Sequence, residues 1–279
     1  MNVEHHDPRL TPARTDLAAA HLEGRVAAAK FVSGARWRVA RGRASLHERA
    51  DAGSMRESEL LFGEIFTVYE DRDGWCWGQA ENDSYVGYLQ TALLDGEVIA
   101  DAHIIALATP LLPVPNVKAS CADMLPLNAV VQVQARNDGF ARLATGGHIY
   151  ERHLAPLSEK AADWVAVAER FVGVPYVWGG KTAAGLDCSG LIQTALAAAG
   201  VRTQRDTDIM ERSLGTPIGS HDLKRGDIVF WNGHMGVMRD ATHLLHANAF
   251  HMEVASEPLS EAIARIEKIA GPVTSVKRV

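Results

Sequence analysis

Cysteine is scarce in this chain. Cys76, Cys121 and Cys188 are its three cysteines. An odd number of widely separated residues excludes a disulfide framework, and the absence of a CxxC pair excludes a zinc knuckle. A basic excess is also missing: 28 Lys and Arg against 34 Asp and Glu leave a formal net charge of -6. That balance argues against a broad phosphate-binding face, and so against nucleic acid as a partner. Long apolar runs are missing as well. The most apolar stretch, Val98 to Val117, is broken by Asp101, His103, Pro110, Pro113 and Pro115 and cannot cross a bilayer as one helix. The opening MNVEHHDPRL has neither the basic start nor the apolar run of an export signal. These absences lead us to expect a cytoplasmic protein with no membrane partner.

What is present divides by pattern. At 279 residues the chain accommodates two or three compact units. Residues 14–32 are alanine-rich with few breakers, and Thr15 or Asp16 could cap a short helix, so residues 1–35 are expected to be a helical segment. From Arg36 the text alternates with period two, and turn signals at Arg72-Asp73-Gly74 and Glu81-Asn82-Asp83 mark a small all-β module over residues 36–98. A second β pattern, AVVQVQARNDGFARLATGGHIYERHL, repeats the order of turn, Gly-aromatic, strand, small turn and aromatic. Two tandem copies of one module follow, the second over residues 99–157. Each resembles a bacterial SH3 domain. After Pro156 the pattern mixes: DWVAVAERFV and CSGLIQTALAAAG read as helices, GDIVFWNG, HMGVMRD and THLLHANAF as antiparallel strands, and SEAIARIEKIA as a last helix. An α+β domain is expected over residues 158–279.

The chemistry concentrates there. Cys188 falls at the first turn of a helix, where unpaired N–H groups and the helix dipole favour a thiolate. A thiolate nucleophile needs an imidazole within reach and a further group to hold that ring. In a hairpin centred on Asp240, His234 lies opposite His246 on one face, as base and orienter, while His243 and His251 fall on the other. His5, His6 and His251 read as solvated residues without metal-ligand spacing, so no metal or other cofactor is expected.

The phrases VPYVWGG, LDCSGLIQTAL, LKRGDIVFW, GHMGVM and LLHAN, in that order, resemble the NlpC/p60 cysteine peptidases. The resemblance covers Asp163 to Val279 and implies a papain-like domain whose Cys-His-His triad maps to Cys188, His234 and His246. Because the cysteine precedes the histidines, the circularly permuted relatives do not fit. Tyr176 would, by the same resemblance, point its hydroxyl toward the nucleophile's pocket; a packed aromatic is the competing reading. The N–H of Cys188 with one further donor would form the oxyanion hole.

Most members of that family are exported. A member without an export signal and with two SH3-like modules resembles the dipeptidyl-peptidase branch that trims recycled muropeptides. That branch takes a small cell-wall peptide with a free N-terminal L-alanine and releases L-Ala-γ-D-Glu from the diaminopimelate or lysine that follows. An ammonium group two residues before the cut requires an anionic pocket. Asp187 and Ser189 flank the nucleophile and could build it. Glu64 of the ELLFGE run and Tyr85 of SYVGY match the branch's residues that close over the amine, and Arg205, Asp206 and Thr207 match a segment lining the cleft. Structural roles compete: a helix cap for Asp187, an ion pair for Arg205, a strand-edge carboxylate for Glu64 and a core aromatic for Tyr85. Two other functions remain open, an endopeptidase on intact wall stems and a non-catalytic SH3-type binding protein. The sequence gives no oligomeric state.

Overall fold

The computed structural model describes residues 6–219 and 221–279. His5, one of the histidines expected to be solvated, lies outside the described residues. The chain divides into two units, one ending at Leu157 and the other spanning Ser158–Val279. Together they combine all-β modules of SH3-like kind with an α+β domain.

In the first unit, strands Arg56–Leu61, Arg43–His47, Val86–Gln90, Trp75–Ala80, Ile65–Arg72, Ala35–Val39 and Leu94–Asp95 form one sheet in that order. Its pairings are antiparallel. Leu46, Leu60, Phe66, Cys76, Tyr85 and Leu89 fill its core. The strands at Ala102–Ile104, Val130–Val131 and Leu154–Pro156 form a second small sheet, and Val133–Asn137, Phe140–Leu143 and His148–Tyr150 a third. The sequence echo is visible in the backbone. Arg72 pairs with Trp75 and Asn137 with Phe140, so both hairpins close on two residues. Those residues are Asp73-Gly74 and Asp138-Gly139, all four at positive φ, as a turn matching strand twist demands. In both copies the next strand runs into a single 3-10 turn, Thr91–Leu93 or Glu151–His153.

The helix expected across residues 14–32 is not found. Ala18–Ala19 instead pairs in parallel with Phe31–Val32, and the helical content is one 3-10 turn, Ala20–Leu22. Leu17, Ala18, Ala19 and Leu22 are buried, and Gly24 reverses the chain at φ +75°. Arg14 holds the segment to the first module, its guanidinium 4.4 Å from the Trp77 ring centre and bonded to Glu70 and Tyr88. With no apolar stripe at helical spacing, tertiary burial overrode the helical preference of alanine.

The second unit carries four helices: α1 (Trp164–Glu169), α2 (Cys188–Ala198), α3 (Thr207–Ser213) and α4 (Leu259–Ala270). Asp163 caps α1 through the amides of Val165 and Ala166. Gly200 at φ +81° ends the α2 region, as its sequence signalled. Six antiparallel strands form its main sheet: β1 (Thr216–Pro217), β2 (Asp227–Trp231), β3 (His234–Met238), β4 (His243–Asn248), β5 (Glu253–Pro258) and β6 (Ser275–Arg278), in the order β1-β6-β2-β3-β4-β5. Ala262 of α4 packs with Val229, Trp231, Met238, Leu244 and Val276 from one face of that sheet. No helix among the described residues is long and apolar enough to cross a membrane.

Candidate active site

The site is built where α2 begins. Asp187 caps that helix by accepting the Gly190 amide at 2.8 Å. Gly190 permits the close turn: a Cβ there would stand 2.0 Å from the carbonyl oxygen of Gly180. Cys188, the first helical residue, is 7% exposed. Its sulfur lies 3.6 Å from Thr207 Oγ1 and accepts the backbone N–H of Met235, which sets it against the start of β3. His234, the neighbour of Met235, occupies that start, beside the buried Trp231 ring.

His234 Nε2 and His246 Nδ1 are 2.9 Å apart, so the two histidines expected to act together do meet. The register that brings them together differs from the expected one. Val237 pairs with Leu245 and Met238 with Leu244, which puts Gly236, not His234, opposite His246 and makes the histidines diagonal neighbours. The cause is the loop. Asp240 accepts the amides of Thr242 and His243, and Arg239 N–H bonds the carbonyl of His243, so the turn centres on residue 241 rather than 240. Gly236 supplies the room, since a Cβ there would lie 3.0 Å from Cβ of His246. His251 is exposed, as expected, but the alternation of β4 does not place it. It follows the end of β4, where strand alternation no longer applies, and its ring stands 6.4 Å from that of His246.

Behind His246 stands a carboxylate that the sequence reading missed. Glu257 Oε1 lies 2.7 Å from His246 Nε2, and Arg265 of α4 holds Glu257 through both guanidinium ends. Hydrogen bonds from Arg265 and His246 hold the Glu257 carboxyl down at about 2 even though partial burial opposes ionisation. One signal pointed to it: an orienting histidine needs something to fix its own ring. His246, His251 and Glu257 offer donor atoms within 4.8 Å of one another. With both oxygens of Glu257 on Arg265 and both nitrogens of His246 bonded, the set is arranged as a hydrogen-bond chain rather than a cation's ligand shell.

The electrostatics correct one expectation. A helix N-terminus was expected to favour a thiolate, yet burial, reinforced by the Asp187 charge, pushes the Cys188 thiol up to about 11. Desolvation outweighs the Thr207 hydroxyl, the Arg205 charge and the Met235 amide, which oppose it. Burial also pulls His234 down to about 3, helped by His246 and the Arg265 charge. Both shifts favour the neutral form, of the thiol and of the imidazole.

The other expected residues divide between two places. Tyr176 sits on the loop bridged to Leu186, and burial with the nearby Cys188 and Asp187 pushes its hydroxyl's pKa up, which puts it beside the nucleophile. Asp187 is 5% exposed and its carboxylate receives the amides of Gly179 and Gly190, the Ser189 hydroxyl at 3.2 Å and Arg205 Nη2 at 2.5 Å. Arg205, 1% exposed, also donates to Ser189 Oγ. Asp187 and Ser189, expected to meet the substrate's ammonium, both also hold the Arg205 guanidinium of this chain. Asp206 adopts φ +72° and starts α3, whose first residue, Thr207, touches the sulfur. Glu64 and Tyr85 belong to the first unit. There Glu64 accepts the Leu61 amide and the Asn82 side chain, and Tyr85 lies in the module core with its hydroxyl toward Glu57.

Comparison with known proteins bears on this geometry. The NlpC/P60 family model matches residues 173–268, and the bacterial dipeptidyl-peptidase Sh3 domain model matches residues 46–94. Dipeptidyl-peptidase 6 of Lysinibacillus sphaericus is 35% identical over 114 residues, which are 41% of this chain and 40% of the relative, so the chain spans two fifths of that protein. The gamma-D-glutamyl-L-lysine dipeptidyl-peptidase of Bacillus subtilis is 23% identical over 237 residues, covering 77% of this chain and 79% of the relative. An NlpC/P60 family protein from Bacillus cereus superposes with a TM-score of 0.74 at 16% identity, covering 88% of this chain and 99% of the other, a likeness of fold.

Proposed function

From an NlpC/P60 domain at residues 173–268, in a chain that also carries a bacterial dipeptidyl-peptidase Sh3 domain at residues 46–94, we propose a cysteine peptidase acting on cell-wall peptides. Its reaction is hydrolysis of the bond between γ-D-glutamate and a following diamino acid, in a peptide that begins with a free L-alanine. The observation that carries this reading is the chain from His234 through His246 to Glu257, with the Cys188 sulfur at the start of α2 held by the N–H of Met235, the neighbour of His234.

The steps follow from which atoms are already bonded. His234 uses Nε2 on His246, which leaves Nδ1 to accept a proton. Cys188 Sγ attacks the γ-carbonyl carbon as its proton passes to that nitrogen. The tetrahedral oxyanion takes hydrogen bonds from the Cys188 N–H, which as the first helical amide has no carbonyl four residues earlier in the helix, and from one further donor. Collapse breaks the C–N bond, and His234 returns its proton to the departing amine. A water molecule, losing its proton to His234, then adds to the thioester carbonyl; the C–S bond breaks, His234 returns that proton to the departing sulfur, and L-Ala-γ-D-Glu is freed.

An L-alanine still joined to glycan has no free amine. The substrate is therefore a peptide already released from the wall polymer, and recycling of such peptides in the cytoplasm is the setting that fits. The amine requirement is tested with L-Ala-γ-D-Glu-diaminopimelate and its N-acetylated counterpart, products read by mass spectrometry. Loss of one charge-assisted contact in a desolvated pocket is expected to lower kcat/KM for the acetylated peptide about 100-fold. Equal rates for both peptides would replace this reading with an endopeptidase acting on intact stems.

A further inference from the structure

We propose that Glu257 is a positioning residue that fixes the proton order of the histidine chain, with Arg265 keeping it in the form that can do so. The inference rests on the reading of Cys188 and His234 as nucleophile and base, and adds a fourth member behind them.

The argument is one of donors and acceptors. An ionised carboxylate can only accept, so the 2.7 Å contact with Glu257 requires the hydrogen of His246 to sit on Nε2. Neutral His246 then has a bare Nδ1. That atom is 2.9 Å from His234 Nε2, which must supply the hydrogen between them. His234 is left with a bare Nδ1, the only arrangement of two neutral rings in which it can take a proton from sulfur. A choice made at Glu257 is thus passed through two rings to the nucleophile.

Arg265 makes that choice firm. Its Nη1 donates to Glu257 Oε2 at 2.6 Å and its Nη2 to Oε1. The guanidinium is itself held 4.3 Å from the centre of the Phe250 ring, in the turn that joins β4 to β5. Glu257 is buried, on the face of β5 next to His246: it pairs directly with Leu244 of β4, while His246 pairs with Ala255.

Glu257→Gln separates this role from simple packing, because the amide is nearly isosteric. His246 and Arg265 Nη2 share Oε1 while Nη1 holds Oε2, so the amide keeps a charge-assisted contact without opposing a guanidinium N–H only when both guanidinium ends gather on its oxygen at the Oε2 position, which turns the NH2 group to His246. The chain then reverses: His246 carries hydrogen on Nδ1, His234 also on Nδ1, and no lone pair remains for the thiol. In the full chain, kcat is expected to fall about 1,000-fold, within a factor of about ten of the roughly 10,000-fold wrong-tautomer effect, with KM changed less than about threefold. Alkylation of Cys188 by iodoacetamide near neutral pH, which needs no substrate, is expected to slow in parallel. Glu257→Asp keeps an acceptor and is expected to recover kcat to within about tenfold of wild type. Nitrogen-15 spectra of the histidines are expected to show Nε2–H on both His234 and His246 in the wild type, and Nδ1–H in Glu257→Gln.

Glu257→Gln with kcat within about threefold of wild type, beside an inactive Cys188→Ala chain, overturns this inference and leaves the underlying reading intact. Wild-type turnover by Cys188→Ala overturns the underlying reading instead. Should Glu257→Gln fail to fold, the wild-type spectrum decides, since Nδ1–H on His234 contradicts the proposed order.

Discussion

Turnover of L-Ala-γ-D-Glu-diaminopimelate is expected to fall by about 10,000-fold or more in the Cys188→Ala chain, the scale on which removing a covalent nucleophile acts. The fold should survive. Alanine has good helix propensity, and Cys188 is a small residue at the first turn of α2, whose cap is the neighbouring Asp187. The loss is chemical: without sulfur no thioester forms, and neither His234 nor the oxyanion donors supply another group that bonds to carbon. Cys76 is buried in the first module's core and Cys121 is exposed in the first unit. Cys121→Ala is expected to leave the rate within about twofold. Steady-state rates by mass spectrometry check both, and a Cys188→Ala rate equal to wild type would remove the nucleophile from the account.

The largest stability effect is expected beneath that nucleophile. Asp187→Ala leaves the Arg205 guanidinium, 1% exposed, without its carboxylate and removes the α2 cap. Breaking a buried ion pair by deleting one partner costs about 3–5 kcal/mol, and loss of the cap adds about 1 kcal/mol. Most of that cost is the stranded charge, not the lost attraction. Removing the charge as well, in Asp187→Ala/Arg205→Met, should therefore restore at least about 2 kcal/mol relative to the sum of the two single changes. Hydrogen exchange of the α2 amides reads the result within the second unit. Strict additivity would mean that Asp187 and Arg205 do not share the energy their contact implies.

These two residues illustrate how far the sequence carried. The local signals were clear: Asp187 three residues before Gly190, Gly200 past the end of α2, and two Asp-Gly pairs each closing a hairpin. These are decided by neighbours within a few positions, so a single chain of letters contains them. The pairing of His234 with His246 was legible in its face but not in its register, because one Asp240 side chain gathers two amides and shifts the turn by a residue. Residues 14–32 misled for the opposite reason: alanine favours a helix where nothing else acts, and here Ala18 and Ala19 are buried in a strand. Glu257 and Arg265 were missed because their partnership spans a strand and a helix, and no spacing announces it. The thiol was misjudged since the helix end is visible in sequence and the burial around it is not.

The central claim, that Cys188 opens the γ-D-glutamyl bond of a released wall peptide, is tested most directly by rapid quenching of the wild-type chain during turnover, followed by intact and peptide mass spectrometry. The account predicts an adduct of one L-Ala-γ-D-Glu unit less the elements of water, carried on the peptide that contains Cys188. Turnover with no such adduct under conditions that stabilise thioesters, or an adduct on Cys76 or Cys121, would contradict it.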